Sequence, residues 1–289
     1  MNTIYFFQEQ ALLASIIFVI LGLIVGSFLN VVISRYPRIL QKQWENECLE
    51  FLNQNPAEFT SRVSLNKPRS QCPQCHKQLK IWHNIPVVSY LLLRGRCNFC
   101  KTHISYQYPV IEIITAFTTL LVFYRFGLSW QTFAALLFTW TLIAMSGIDF
   151  HEKIIPDTMT LPLLWLGLFY STLGYFTTAP DAIFGAIIGY LFLWTIAKLY
   201  MLLRKREGMG YGDFKMLAML GAWLGFTPLL YILIISSLLG LAACLILLCC
   251  KRFNSKYQLP FGPFLAIAGW LIMVYGTSPL LNTFNILMR

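Results

Sequence analysis

The sequence predicts an all-α polytopic membrane protein of about eight transmembrane helices with one small cysteine-bearing loop domain. Two features set this class: 57% of the 289 residues are hydrophobic and only 12% charged, and the apolar residues fall in long uncharged runs. A third feature separates out the loop. Two Cys-x-x-Cys pairs stand in the one extended polar stretch, Arg35–Ser105.

The runs Ala11–Ser34, Phe126–Ile148, Thr158–Pro180, Met216–Cys250 and Tyr257–Met288 contain no Asp, Glu, Lys or Arg. Each exceeds the roughly 20 residues that a spanning helix needs. Tyr106–Tyr124 and Ala182–Leu203 carry one charge each, Glu112 and Lys198, and are otherwise apolar enough to insert. Within Met216–Cys250, Thr227-Pro228 should break the helix, because proline lacks a backbone donor and disfavours helix in the residue before it. The count is therefore eight helices, the sixth of them short. No Lys or Arg precedes Arg35, and Glu9 stands where a secretory signal would be positive. The first helix is thus expected to be retained.

Positive residues concentrate on cytoplasmic loops. With the N-terminus outside, the inside segments 35–105, 149–157, 198–215 and 251–256 hold eleven, one, five and three of the 22 Lys and Arg. Only Arg125 and Arg289 fall outside, so both termini are expected on the non-cytoplasmic side. The formal charge of +10 is then a topology signal plus attraction to anionic lipid, and calls for no nucleic-acid partner.

Residues 41–63 of the loop read as a short pair of amphipathic helices and residues 67–105 as turn-rich. Cys72-Pro73-Gln74-Cys75 and Cys97-Asn98-Phe99-Cys100 are separated by 21 residues, slightly beyond the common ribbon spacing. Four thiolates from Cys72, Cys75, Cys97 and Cys100 can close a tetrahedral zinc site. A reducing cytosolic setting favours metal over disulfide. A loop this small also gains the stability its own core cannot supply, making it a zinc-binding cytoplasmic loop domain. A redox pair or unconnected cysteines are the other readings. Four thiolates leave no open position, so the metal is structural. Cys244, Cys249 and Cys250 lie in an apolar helix and read as core or lipid-facing residues.

Ionisable groups in or beside membrane helices are costly and need a reason. Asp157, after Pro156, is placed to cap the following helix. Asp213 also precedes a helix, but in Gly208-Met209-Gly210-Tyr211-Gly212-Asp213 three glycines allow close approach of another chain, more than capping requires. Asp149 falls at the C-terminal end of a helix, where the dipole repels a carboxylate, and the sequence shows no local compensation. The predicted topology brings Asp149 and Asp213 to one face. Paired carboxylates that share a proton can supply a base to activate water and an acid toward a leaving group.

At these residues the chain resembles the type IV prepilin peptidases, whose Gly-x-Gly-Asp element is similar to that of the wider intramembrane aspartyl proteases. The motifs are Gly26-Ser27-Phe28-Leu29-Asn30-Val31-Val32-Ile33-Ser34-Arg35, the two cysteine pairs, and Tyr108-Pro109-Val110-Ile111-Glu112. They continue with Gly147-Ile148-Asp149, Ile155-Pro156-Asp157, Gly210-Tyr211-Gly212-Asp213-Phe214-Lys215, Gly221-Ala222-Trp223-Leu224-Gly225 and Pro260-Phe261-Gly262-Pro263. Any one is weak; their order and joint presence are specific.

The resemblance implies a bacterial inner-membrane enzyme that cleaves type IV prepilins and pseudopilins after a glycine at the cytoplasmic face, with Asp149 and Asp213 catalytic. It also implies methylation of the new N-terminal phenylalanine from S-adenosylmethionine. No methyltransferase motif marks the donor site; Glu112 and Gly95 are the candidates, by position. The domains then read as 1–34, the first transmembrane helix; 35–105, the cytoplasmic loop domain with the four-cysteine site; and 106–289, the transmembrane aspartic peptidase core. A polytopic transporter with a structural zinc loop would instead place acids near the midplane of a repeated half. A zinc-stabilised scaffold without chemistry would tolerate Asp149→Asn.

Overall fold

The computed structural model describes residues 2–53, 64–65, 71–72, 74–75, 77–79, 82, 85–206, 208–250 and 259–277, with side chains from Leu12 onward. Among these residues there are nine helices and no strand beyond two isolated β-bridges. The chain divides into two compact units, Met1–Leu128 and Ser129–Arg289.

In the first unit α1 (Asn2–Phe51) is a single helix of 50 residues. At 1.5 Å per residue it is about 75 Å long, more than twice the thickness of a bilayer's hydrocarbon core. The expected stop at Arg35 does not occur. Pro37 removes one backbone donor and the helix runs through it, carrying the polar residues after Arg35 away from the apolar part. The pair of short helices expected over 41–63 is thus continuous with α1 as far as Phe51, and residues 54–63 lie outside the described residues.

After the short α2 (Val88–Leu92), α3 (Gln107–Phe126) packs on α1. Gly22 and Gly26 permit this contact: a Cβ on Gly22 would lie 2.5 Å from Ala116 Cα, and one on Gly26 2.8 Å from Glu112 Cα. Small residues four apart let membrane helices approach where lipid gives no hydrophobic drive for association. Asn30 continues the seam, its Nδ2 donating to the carbonyls of Gly26 and Tyr108 at 3.2 and 3.0 Å.

The second unit comprises α4 (Trp130–Glu152), α5 (Asp157–Thr172), α6 (Ala179–Arg204), α7 (Tyr211–Leu224), α8 (Thr227–Cys249) and α9 (Gly262–Tyr275). The break at Thr227-Pro228 is where the proline places it, and α7 is the short helix. Its 14 residues extend only about 21 Å. It contacts α5, α6, α8 and α9, and from Asp213 to Leu224 every residue but Lys215 is buried.

Two features fix α7. Gly221 meets Gly185 of α6 so closely that a Cβ on Gly185 would sit 2.5 Å from the Gly221 carbonyl oxygen. Gly189, one turn along α6, stacks on Leu217 and Ala218. On the other side, the Trp223 indole donates to the Leu163 carbonyl at 2.7 Å, lying against Gly167 of α5.

Among the described residues five helices, α1, α3, α4, α6 and α8, are long and apolar enough to cross a membrane. The helices α5, α7 and α9, of 16, 14 and 14 residues, are shorter than a full span. The basic stretch 251–256 and the chain beyond Thr277 lie outside the described residues.

Candidate active site and cysteine cluster

The carboxylate site forms where the last turn of α4 meets the first turns of α7 and α9. Asp149 is buried one turn before the end of α4, which closes at Lys153 in a left-handed conformation, φ 57°. The chain then turns through Ile155 and Pro156 into α5. Ile155 occupies the junction: a Cβ on Gly212 would lie 2.8 Å from its Cβ, and one on Gly262 would lie 2.9 Å from its Cδ1. Glycine at both positions therefore lets α7 and α9 close on the same side chain.

Asp213 is the third residue of α7 and is buried. The Gly210 amide donates to its carboxylate, one half of a capping box, in which the third residue of a helix satisfies the backbone at the N-cap. So the capping role is real, yet it does not account for the whole arrangement. Asp213 also interacts electrostatically with Asp149. Two carboxylates 64 positions apart in sequence thus stand near one another in a buried junction.

Asp149 has a compensation that no neighbouring residue in the sequence supplies. The backbone N–H of Gly262, the first residue of α9, donates to Asp149 Oδ2 at 3.1 Å. The positive end of the α9 dipole and an otherwise free amide thus offset the unfavourable end of α4. Pro260-Phe261-Gly262-Pro263 is the signal available for it, since a proline at the start of a helix marks its first turn and a glycine beside it permits close approach of another side chain.

Asp157 stands at the positive end of the α5 dipole as expected, but its carboxylate is not engaged as a cap. It is the first residue of α5, whose N-cap, Pro156, has no side-chain cap. Its carboxylate instead pairs with Lys215 of α7. A cation within reach, two residues beyond Asp213, outcompetes backbone amides for an exposed carboxylate.

The four cysteines of the first unit come together as expected. Antiparallel bridges Gln71–Gln78 and Arg96–His103 close one turn around each Cys-x-x-Cys pair. The amides of Cys72 and Cys97 donate to the carbonyls of Lys77 and Thr102 at 3.1 and 2.8 Å. The ligand sulfurs of Cys72, Cys75, Cys97 and Cys100 all lie within 4.8 Å of one another, and Cys72 and Cys100 are 3.7 Å apart. Tetrahedral zinc–thiolate bonds of about 2.3 Å require sulfurs about 3.8 Å apart, so the residues fit the metal. The Thr102 hydrogen bond pulls the Cys100 thiol down to about 6, and the Cys75 amide lowers Cys72. For Cys75 the Lys77 amide acts downward, but burial and the neighbouring thiols push it up to about 11. Four thiolates at this spacing repel one another unless a cation lies among them.

Glu112 and Gly95, the methyl-donor candidates, also lie in the first unit and have defined structural partners. Glu112 is buried in α3, where its Oε2 accepts the Val87 amide at 2.7 Å and Ser27 hydrogen-bonds the carboxylate. Val87 has φ 59° at the centre of a strained γ-turn, Val88 N–H to Pro86 O at 2.5 Å. Glu112 thereby holds a backbone conformation that a β-branched residue resists. Gly95 has φ 65°, and a Cβ there would meet Tyr90 Oη at 2.8 Å. It forms the entry to the second cysteine turn, with Ile104 N–H bonded to its carbonyl at 2.8 Å.

Comparison with known proteins agrees with this organisation. Residues 20–126 match the model of the bacterial peptidase A24 N-terminal domain, and residues 136–245 that of the type IV leader peptidase family. A prepilin leader peptidase/N-methyltransferase of Stutzerimonas stutzeri is 44% identical over 96% of both chains. Proteins of the same name from Pseudomonas aeruginosa and Neisseria gonorrhoeae are 46% and 44% identical over 89% and 90% of both chains. No solved structure matches significantly. The matches run through both units and both motif sets, and the chain is accordingly an enzyme of the type IV leader peptidase family.

Proposed function

We propose that the protein removes the leader peptide of type IV prepilins and pseudopilins after a glycine, at the cytoplasmic face of the bacterial inner membrane, and then N-methylates the new N-terminal phenylalanine with S-adenosylmethionine. The observation that carries the peptidase half is the meeting of Asp149 and Asp213 in one buried junction built by three helix ends. In this reading one carboxylate takes a proton from water as it attacks the scissile carbonyl. The other, protonated, hydrogen-bonds the carbonyl oxygen and delivers its proton to the leaving amine. Because they share a proton, the two carboxylates titrate as a pair.

The methyltransferase half rests on the family and on the three relatives' shared name. S-adenosylmethionine enters as a substrate. Glu112 and Gly95 belong to its neighbourhood by position, and their partners make them supports for the cysteine-bearing turn. Zinc held by Cys72, Cys75, Cys97 and Cys100 would stabilise that turn. Family membership sets aside the transporter reading. The test of the whole proposal is the intact mass of a pilin precursor co-expressed with the enzyme. Loss of the leader and a gain of one methyl group support it; an unprocessed precursor beside well-inserted enzyme refutes it.

The proposed topology has eight spans with 1–34 first, the 35–105 domain in the cytoplasm, a peptidase core in 106–289, and both termini periplasmic. The short helices would reach across with the residues that flank them. A phosphatase fused after Arg289 should be active and one inserted near Lys67 silent; the opposite pattern would overturn the helix count.

Asp157→Asn should be nearly harmless. Its side chain is half exposed, and exposed ion pairs contribute no more than about 1 kcal/mol. Leader removal should stay within about threefold of wild type. A loss as deep as that of Asp149→Asn would place Asp157 in the chemistry instead.

A further inference from the structure

We infer that Gly262 is a positioning residue for leader cleavage: its amide and its missing side chain fix the rotamer of Asp149 and decide which carboxylate oxygen faces the reaction. The inference rests on the aspartate-pair reading above. Asp149 Oδ2 is engaged by the Gly262 amide at 3.1 Å, which fixes the plane of the carboxylate and leaves Oδ1 the less encumbered oxygen for water and for the partner carboxylate.

The contact admits no side chain. A Cβ on Gly262 would lie 2.6 Å from Asp149 Oδ2, 3.2 Å from its Cγ and 2.9 Å from Ile155 Cδ1. The two closest of these atoms are the ends of side chains, which can rotate away. Folding should therefore tolerate alanine at 262, while the carboxylate would have to move. This separates Gly262 from Gly185 and Gly221, where an added Cβ would strike backbone. It also separates it from Gly269, two turns further along α9, where the nearest atom is Leu220 Cδ2, at 2.5 Å, in a flexible apolar side chain.

The glycine is thus required at the position where substitution costs chemistry rather than fold. Pro263, next in sequence, has no N–H to offer, so the amide of Gly262 is the donor that α9 presents to Asp149. Replacing a pairing of backbone and carboxylate by a displaced rotamer acts on orientation, and a misplacement of about 1 Å costs on the order of 100-fold in turnover.

The experiment compares purified full-length Gly262→Ala, Gly269→Ala, Asp149→Asn and wild type in lipid vesicles. Cleavage of a purified prepilin and methylation of the same pilin supplied without its leader are measured separately. For Gly262→Ala, kcat for cleavage should fall on the order of 100-fold with KM within about threefold, and methyl transfer should stay within about threefold of wild type. Gly269→Ala should cleave at a near-normal rate. Near-normal turnover by Gly262→Ala would overturn the proposal, as would a parallel fall in methylation, which marks a purely structural role. Those results leave the aspartate pair standing. Normal cleavage by Asp149→Asn would remove the pair, and the proposal with it.

Discussion

Asn at either Asp149 or Asp213 should abolish leader removal as fully as Asn at both, a loss of at least about 10³-fold in turnover. Asn keeps the size of the side chain and most of its hydrogen bonding but neither gives nor takes the proton that peptide hydrolysis moves. The local structure supports this choice of variant. In Asp149→Asn the side-chain amide oxygen can still accept the Gly262 N–H that Asp149 Oδ2 receives, and in Asp213→Asn it can still accept from Gly210. Each substitution therefore preserves the helix ends and removes only the ionisable group. In the proposed mechanism the pair acts as one unit, so the second substitution should remove nothing further and the losses should not add. The measurement is the fraction of co-expressed precursor processed, by intact mass, with membrane insertion and metal content checked in each variant. Normal processing by a well-inserted single variant would end the aspartic-peptidase reading.

What the sequence discloses about this site follows the range of the interactions involved. Asp149 is conspicuous because a carboxylate near a helix C-terminus in an apolar chain is locally unfavourable, and Asp213 because its glycines exceed what a cap needs. Both arguments use residues a few positions apart. The group that rewards Asp149 is 113 positions away, and no local rule ties Gly262 to it. Asp157 escapes a local reading for the same reason: Lys215, 58 positions on, offers a charge that a cap cannot match.

The fold divides similarly. The uncharged runs locate the long helices, and Pro228 locates the break before α8. The end expected at Arg35 does not come even with Pro37 close behind it, because one missing bond costs a long helix less than it costs a short one, since neighbouring turns hold it. Residues Arg38–Phe51 are helix-compatible and need no bilayer. The spacing Gly22-x-x-x-Gly26 and Gly185-x-x-x-Gly189 is visible in the sequence and marks both close helix crossings. Such spacing says that a helix has a partner without saying which. The cysteine cluster is the most legible element, because two Cys-x-x-Cys pairs carry their pairing in the residue type and spacing alone.

Replacing Cys72 and Cys97 with Ser should remove about one zinc per chain and unfold the cysteine-bearing turn, the second large effect expected. These are the two buried members of the cluster, one from each pair, so the double variant leaves one thiol on each turn and no closed site. Little else holds the segment. Among the described residues it has two isolated bridges and the short α2, and apparent zinc-binding energies of about 10–16 kcal/mol in zinc-finger peptides exceed anything so small a core supplies. Hydrogen exchange gives a local readout. The amides of Cys97 and Ile104, bonded to Thr102 and Gly95 at 2.8 Å each, should be protected in the zinc-loaded protein and exchange freely in the variant or after chelation. The Val87 amide, which Glu112 holds, should follow them, because its strained turn persists only while the surrounding segment enforces it. The α1–α3 crossing at Gly22 and Gly26 should keep its protection, being fixed by helix packing alone. Wild-type protein that is metal-free, protected at Cys97 and Ile104, and active would refute the structural zinc. Loss of protection along α1 and α3 as well would show that the metal stabilises the whole unit rather than the turn.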